Sequence, residues 1–279
     1  MNSREVKNKL FLVAVCGLAF IALLPLFSVL FYVVEHGYRA LNWDFFTKLP
    51  APVGEAGGGI GHAILGSIIL IVMASLISIP LGLGMGILLS EYKQKRVARL
   101  LGATVELLSS IPSIVIGLFT YAIVVKPFKG FSAHAGAIAL SIVMIPMIAR
   151  TTEEMLKLVP HTVREAGLAL GLPKWKVILR IVVQGSLSSL LVGIILAVAR
   201  IAGETAPLLF TAFASSQWFQ GLSRPIASIP VQIYTYAVSP YDDWHEKAWG
   251  GALVLILMVL GLNLMIRFFL MGKRKRGAS

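Results

Sequence analysis

The chain has 279 residues, of which 57% are hydrophobic and 14% charged, and its mean hydropathy is +0.83. That balance excludes a water-soluble globule and points to a helical protein that crosses a membrane several times. A net charge of +12 would suggest nucleic acid in a soluble protein. Here the basic excess reads instead as loops that fix topology and meet anionic lipid, with no nucleic-acid partner.

Six apolar segments are predicted as membrane-spanning helices: 10–34, 62–90, 100–125, 135–149, 187–210 and 249–271. The first has no small-residue cleavage pattern after it and reads as a retained signal-anchor. It carries Cys16, the one cysteine, which excludes a disulfide framework and is expected to be an apolar filler. The first outer loop, 35–61, ends in Gly57-Gly-Gly59-Ile-Gly61, a predicted flexible lead-in to span two. Residues 1–61 thus form an N-terminal anchor and loop, and 62–279 a single transmembrane domain.

Span two contains Gly82-Leu-Gly84-Met-Gly86, part of a dinucleotide-binding pattern. No strand precedes it, so close helix packing or flexibility through small residues is expected instead. Span three places Glu106 at its inner end, either as a third charged candidate in the membrane or as an interfacial carboxylate. Span four is short and is expected to run past Arg150. Pro25, Pro80, Pro112, Pro146 and Pro207 lie within or near spans, where kinks are tolerated if neighbours satisfy the freed backbone groups. The last outer loop, 211–248, brings Trp218, Tyr234, Tyr236, Tyr241 and Trp244, followed by Trp249. These suit the membrane–water interface, with a docking surface as the alternative. His62 and His134 fall at outer boundaries, where solvated or interfacial roles are expected.

Orientation follows from Lys and Arg in alternate connections. One side holds Arg4, Lys7 and Lys9, then Lys93, Lys95, Arg96 and Arg99, then 150–184 with Arg150, Lys157, Arg164, Lys174, Lys176 and Arg180. It also holds Arg267 and the run Lys273-Arg-Lys-Arg276, read as an anchor at the membrane edge. The bias predicts both termini in the cytoplasm.

Arg200 and Glu204 stand four residues apart inside span five. An ionised group at membrane depth is costly and marks a functional candidate. Four-residue spacing predicts both on one helix face, about one turn apart. Two readings are open: a handle for an anion in transit, or a self-neutralising pair that locks helices together. Thr205 is a further hydrogen-bond donor candidate or an ordinary helix contact.

The cytoplasmic connection 150–184 reads as helix, turn at Pro160, short helix, then a turn at Gly171-Leu-Pro173. A short helix displaying Glu165, Leu168 and Trp175 suits either a lever that engages another protein or a plain linker. Glu165-Ala166-Gly167, then Gly171 and Ile181 ten residues on, resembles the Glu-Ala-Ala…Gly loop of bacterial ABC importer permeases. Here Gly167 replaces the usual Ala, and Val183-Gln184 the usual Leu-Pro. Ser109-Ser-Ile-Pro-Ser-Ile-Val-Ile-Gly-Leu-Phe119 resembles a segment shared by both permeases of phosphate importers. Ala199-Arg-Ile-Ala-Gly-Glu204-Thr-Ala-Pro-Leu-Leu-Phe-Thr211 is similar to a motif of one of those two. Its Thr-Ala-Pro separates it from the sister permease PstC, which usually continues Thr-Met. Pro230-Val-Gln-Ile-Tyr-Thr-Tyr236 carries the same resemblance.

The resemblance implies an all-α type I ABC importer permease in the bacterial inner membrane, moving phosphate by alternating access. It implies a coupling helix around Glu165, Ala166, Gly167, Leu168 and Gly171 that docks on an ATPase. Implied partners are PstC, a dimer of the ATPase PstB and the outer phosphate-binding protein PstS. No Gly-x-x-x-x-Gly-Lys-[Ser/Thr] loop, nucleophile elbow or His-Glu-x-x-His pair is present, so no catalytic or metal site is predicted, and ATP with magnesium would sit on the partner. Sulfate and molybdate permeases share the coupling loop but not Glu-Thr-Ala-Pro. An importer of another oxyanion or small solute is the runner-up, and an ion-coupled secondary transporter is a further alternative.

Overall fold

The computed structural model describes residues 3–52, 55 and 57–276, and for 3, 6 and 266–276 the backbone alone. The side chains of Lys273–Arg276, and so their reading as an anchor, lie outside what is described. Four helices are long and apolar enough to cross a membrane: α1 (Ser3–Gly37), α3 (Gly61–Glu91), α6 (Ala133–Lys157) and α12 (Asp242–Arg276). Two bent pairs bring the number to the predicted six if each crosses once. Span four does continue past Arg150, to Lys157.

One bent pair breaks predicted span three at Pro112, a position where a kink is tolerated, and the other turns just before the predicted start of span five. Helices α4 (Arg96–Ser110) and α5 (Ser113–Thr120, extended by a π-helical turn Tyr121–Val125) meet at 105° around Ile111-Pro112. Proline disfavours helical backbone at the residue before it and supplies no N–H, so the chain turns there. Helix α8 (Lys174–Lys176) runs on as a π-wound stretch, Val177–Val183, and meets α9 (Leu187–Ala202) at 73°. By contrast, α1, α3 and α6 each run on through Pro25, Pro80 and Pro146.

Helices α3 and α6 form the most extensive interface, running parallel. A Cβ on Gly82 would lie 2.7 Å from Ile148 Cβ, and one on Gly86 2.6 Å from Ala149 O. Ala74, Ser78, Gly82 and Gly86 recur every four residues, so they form one face. Small residues let the backbones approach where lipid offers no hydrophobic drive to associate. Ser78 and Ser141 at the crossing keep their hydroxyls satisfied by donating to Ala74 O and Ala137 O, each at 2.6 Å. The packing expectation therefore holds for Gly82 and Gly86. Gly84 points to open space and plays no part.

The central apolar cluster joins Leu70 and Ala74 of α3, Ile116 of α5, Leu140, Met144 and Ile148 of α6, and Ala197 and Ile201 of α9. A second cluster caps the end away from the coupling loop. There Phe45 of α2 (Trp43–Thr47), Ile60, Ala227, Ile229 and Tyr236 of α11 (Ile229–Ala237) and Val254 of α12 meet.

This cap corrects several expectations. Tyr236 is core rather than interfacial, and burial pushes its hydroxyl above the ordinary tyrosine range. The glycine lead-in is packed at its end, where Gly59 and Gly61 leave no room for a Cβ beside the carbonyls of residues 44–46, while Gly57 stands in open space. His62 is buried rather than solvated, with neither ring nitrogen hydrogen-bonded among the described residues. Cys16 is exposed, not a filler, because α1 touches the rest of the chain only near its end, where Tyr32, His36 and Gly37 meet Trp249.

Candidate translocation site and coupling helix

Helix α9 packs against α6, with Gly193 on Thr151; farther along, Leu208 reaches Gly136. Numbering rises along one partner as it falls along the other, so this segment runs antiparallel to α6. Arg200 sits midway between these two contacts, opposite the middle of α6. At about 1.5 Å per residue it lies roughly 10 Å from the Thr151 level.

The predicted single helix face for Arg200 and Glu204 is not what forms. Helix α9 ends at Ala202, with Gly203 N–H bonded to Arg200 O at 3.2 Å and Glu204 N–H to Ile201 O at 3.1 Å. Gly203 interrupts the helix, and Pro207 enters the first turn of α10 (Ala206–Leu209). Glu204 and Thr205 therefore occupy a helix break rather than a helix face. Thr205 sits at the N-cap of α10, its side chain making no capping bond. The break is held by close packing of α10 on α5, where a Cβ on Gly117 would lie 2.7 Å from Pro207 Cα.

The charges still meet. Arg200 Nε and Glu204 Oε1 are 3.8 Å apart, an ion-pair contact beyond hydrogen-bond range. Their exposure differs sharply: the Arg200 side chain is 65% exposed and that of Glu204 15%. The acid is set into the break while the guanidinium projects from the chain's surface on a stripe with Val192 and Leu196. Glu106 is not part of this site. It pairs with Arg150 at 3.5 Å, and Arg150 and Lys157 both reach the buried Glu153, at 3.1 and 2.6 Å.

At the other end of the bundle, α7 (His161–Ala169) forms the predicted short helix. Glu165, Ala166 and Leu168 are exposed on it, with Leu170 and Trp175 nearby. Gly167 is buried, and a Cβ there would meet Ile181 Cδ1 at 2.8 Å, so Gly in place of Ala lets two parts of the motif touch. Gly171 has φ +78, and Gly171 N–H bonds Leu168 O while Leu172 N–H bonds Gly167 O. That is a Schellman ending, which favours glycine at the left-handed position. A cleft of about 290 Å³ beside α7 is lined by Glu91, Lys157, His161, Arg164, Glu165 and Lys174, among others. Sequence reasoning missed Glu91, Arg164 and Lys174 as a group. The only signals were an acid at the very end of a span and a basic residue next to Glu165.

Residues 78–271 match the family model for the binding-protein-dependent transport system inner membrane component. The helical arrangement is shared with the inward-facing MetNI methionine ABC transporter, at TM-score 0.63 and 16% identity, over 76% of this chain and 95% of the other. It is shared also with a bacterial alginate ABC transporter, at TM-score 0.69 and 12% identity, over 94% of each chain. The family match and the shared helical fold thus define a type I ABC importer permease.

Among relatives, the phosphate transport system permease protein PstA of Yersinia pestis is 45% identical over 97% of this chain and 92% of its own length. That of Haemophilus influenzae is 42% identical over 97% and 96%. The PstA 1 of Mycobacterium tuberculosis is 36% identical over 98% and 91%. The chain belongs to the PstA family of permeases.

Proposed function

We propose that this chain is the permease subunit of an ATP-driven importer that moves inorganic phosphate into the cytoplasm, with both its termini on the cytoplasmic side. The observation that carries the reading is the exposed guanidinium of Arg200, in the last turn of α9 and paired with Glu204 in the helix break that follows. Its planar fork matches a pair of phosphate oxygens with charge-assisted bonds. Glu204, set into the same break, has two uses. It accepts a hydrogen bond from protonated phosphate, and it keeps Arg200 company between substrates. A loose partner limits affinity, which suits a site that must release its cargo. The 3.8 Å single-point contact and the exposure of Arg200 disfavour the pair as a helix lock. Thr205 supplies a further hydroxyl beside Glu204.

A sister permease of the PstC type completes the pathway, and a PstS-type protein delivers phosphate from outside. ATP and magnesium are bound by a PstB-type dimer whose cleft receives α7. The exposed Glu165, Leu168, Leu170 and Trp175 offer the apolar and charged contact that such docking needs. The test is phosphate-stimulated ATP hydrolysis and phosphate uptake by the reconstituted complex with Arg200→Ala. Uptake should fall by at least about a hundredfold, roughly the 3 kcal/mol at stake in hydrogen bonds to charged groups. Equal stimulation and uptake in variant and wild type would remove Arg200 from the mechanism.

A further inference from the structure

Arg164 precedes Glu165 on α7, and its guanidinium ties three segments together. Nε donates to both carboxylate oxygens of Glu91, at 3.0 and 3.3 Å. Nη2 donates to Glu91 Oε1 at 2.7 Å and to Leu156 O at 2.9 Å, and Nη1 donates to Val159 O. Glu91 is the last residue of α3, Leu156 lies in the last turn of α6, and Val159 is in the turn that leads to α7. The side chains are 6% exposed for Glu91 and 14% for Arg164. Lys174, past the Gly171 turn, adds a second tie. Its ammonium lies 4.4 Å from the Tyr92 ring centre, and Nζ donates to Glu91 O at 3.4 Å. The coupling helix is thus fastened to the end of α3 from within, by Arg164, and just beyond its end, by Lys174.

Burying an ion pair is costly unless its geometry is good and its remaining donors are satisfied, so such pairs are weak evidence of a stability role. This one is well satisfied, and it lies where α7 meets the two helices of the tightest interface. We propose that the Arg164–Glu91 pair, backed by Lys174, is the fastening through which movement of the coupling helix reaches α3 and α6. These are positioning residues for transport. From α6 the displacement passes through the Thr151–Gly193 contact to α9, which carries Arg200. Packed helices shift as units rather than deform, so a fixed joint at one end moves the far end. Lysine at 164 keeps the charge but cannot reach Glu91, Leu156 and Val159 together.

The inference rests on the reading of the chain as an ATP-driven phosphate permease, and the test separates the two. The full complex is reconstituted in proteoliposomes, and phosphate uptake and ATP hydrolysis are measured together. ATP-dependent uptake by wild type checks the permease reading. The ratio of phosphate moved to ATP consumed checks the fastening. Arg164→Lys should leave hydrolysis within about twofold while lowering that ratio by about tenfold, within the range known for coupling residues outside ligand sites. Glu91→Gln should lower it further, and the exchange Glu91→Arg with Arg164→Glu should recover part of the loss. A ratio within about twofold of wild type in Arg164→Lys overturns the proposal, as does a proportional fall of both activities. If Glu91→Gln does not assemble, the Arg164→Lys ratio alone decides.

Discussion

Under the proposed function Glu204 sets how free Arg200 is, because it is the acid the structure brings within reach of that guanidinium. Removing its charge has two opposed consequences. Arg200 loses its alternative to phosphate, so phosphate is held longer; the site also loses the acceptor for a protonated oxygen. Release is the step that a tighter site slows. Glu204→Gln is therefore expected to cut maximal uptake by about tenfold, an energy near 1.4 kcal/mol, while half-saturation stays level or falls. Uptake rates across a phosphate series read both quantities, and a raised half-saturation with unchanged maximal rate would contradict this role. Both residues were legible in the sequence because charges inside an apolar run stand out. Their relation was not: the four-residue spacing argued for a helix turn, whereas Gly203 ends α9 between them. Glu91 and Arg164 left no such signal, being 73 positions apart with no periodicity to connect them.

At the scale of elements, the run Gly82-Leu-Gly84-Met-Gly86 gives the sharpest contrast. Gly82 and Gly86 continue the four-residue series from Ala74 and Ser78, so they face α6, while Gly84 lies on the opposite side. A methyl on Gly86 would collide with the Ala149 carbonyl and Thr152, and these belong to a helix that cannot yield locally. Gly86→Ala is expected to destabilise by about 1–3 kcal/mol, the usual cost of overpacking. Gly84→Ala should be neutral or favourable by up to about 1 kcal/mol, since alanine is the better helix former. Thermal unfolding of the purified complex should separate them by several degrees; equal midpoints would show that the crossing tolerates expansion. The i+4 series could be read from the sequence, and Pro112 was one of five candidate kinks, but that it alone of them turns its span so sharply, and that Gly203 ends α9, could not. Hydropathy is continuous across both, and a proline inside a span is equally compatible with an unbroken helix, as Pro80 and Pro146 demonstrate. The short helix α7 was legible because Pro160 and Gly171 are local punctuation with fixed backbone consequences.

For the molecule as a whole, the proposed function and the exposure of Arg200 together mean that this chain supplies only part of a phosphate site. A guanidinium fork can hold two oxygens of a phosphate, and Glu204 and Thr205 add an acceptor and a hydroxyl. The remaining oxygens need donors from across the exposed face of α9, on which Val192 and Leu196 flank Arg200 with apolar surface. The apolar surface of α1, exposed along nearly its whole length, likewise needs lipid or protein against it. The sequence carries no phosphate loop, and under the proposed function the α7 joint acts only when an ATPase pushes on it. Vesicles holding this chain alone should therefore show no phosphate uptake above the empty-vesicle rate, with or without ATP. Adding the sister permease, the ATPase and the binding protein should restore uptake that stops when ATP is withheld. A secondary transporter would behave oppositely, taking up phosphate as a lone chain down an ion gradient and ignoring ATP. That outcome would leave Arg200 as a substrate ligand but strip the coupling helix, and the Arg164–Glu91 joint with it, of any part in the cycle.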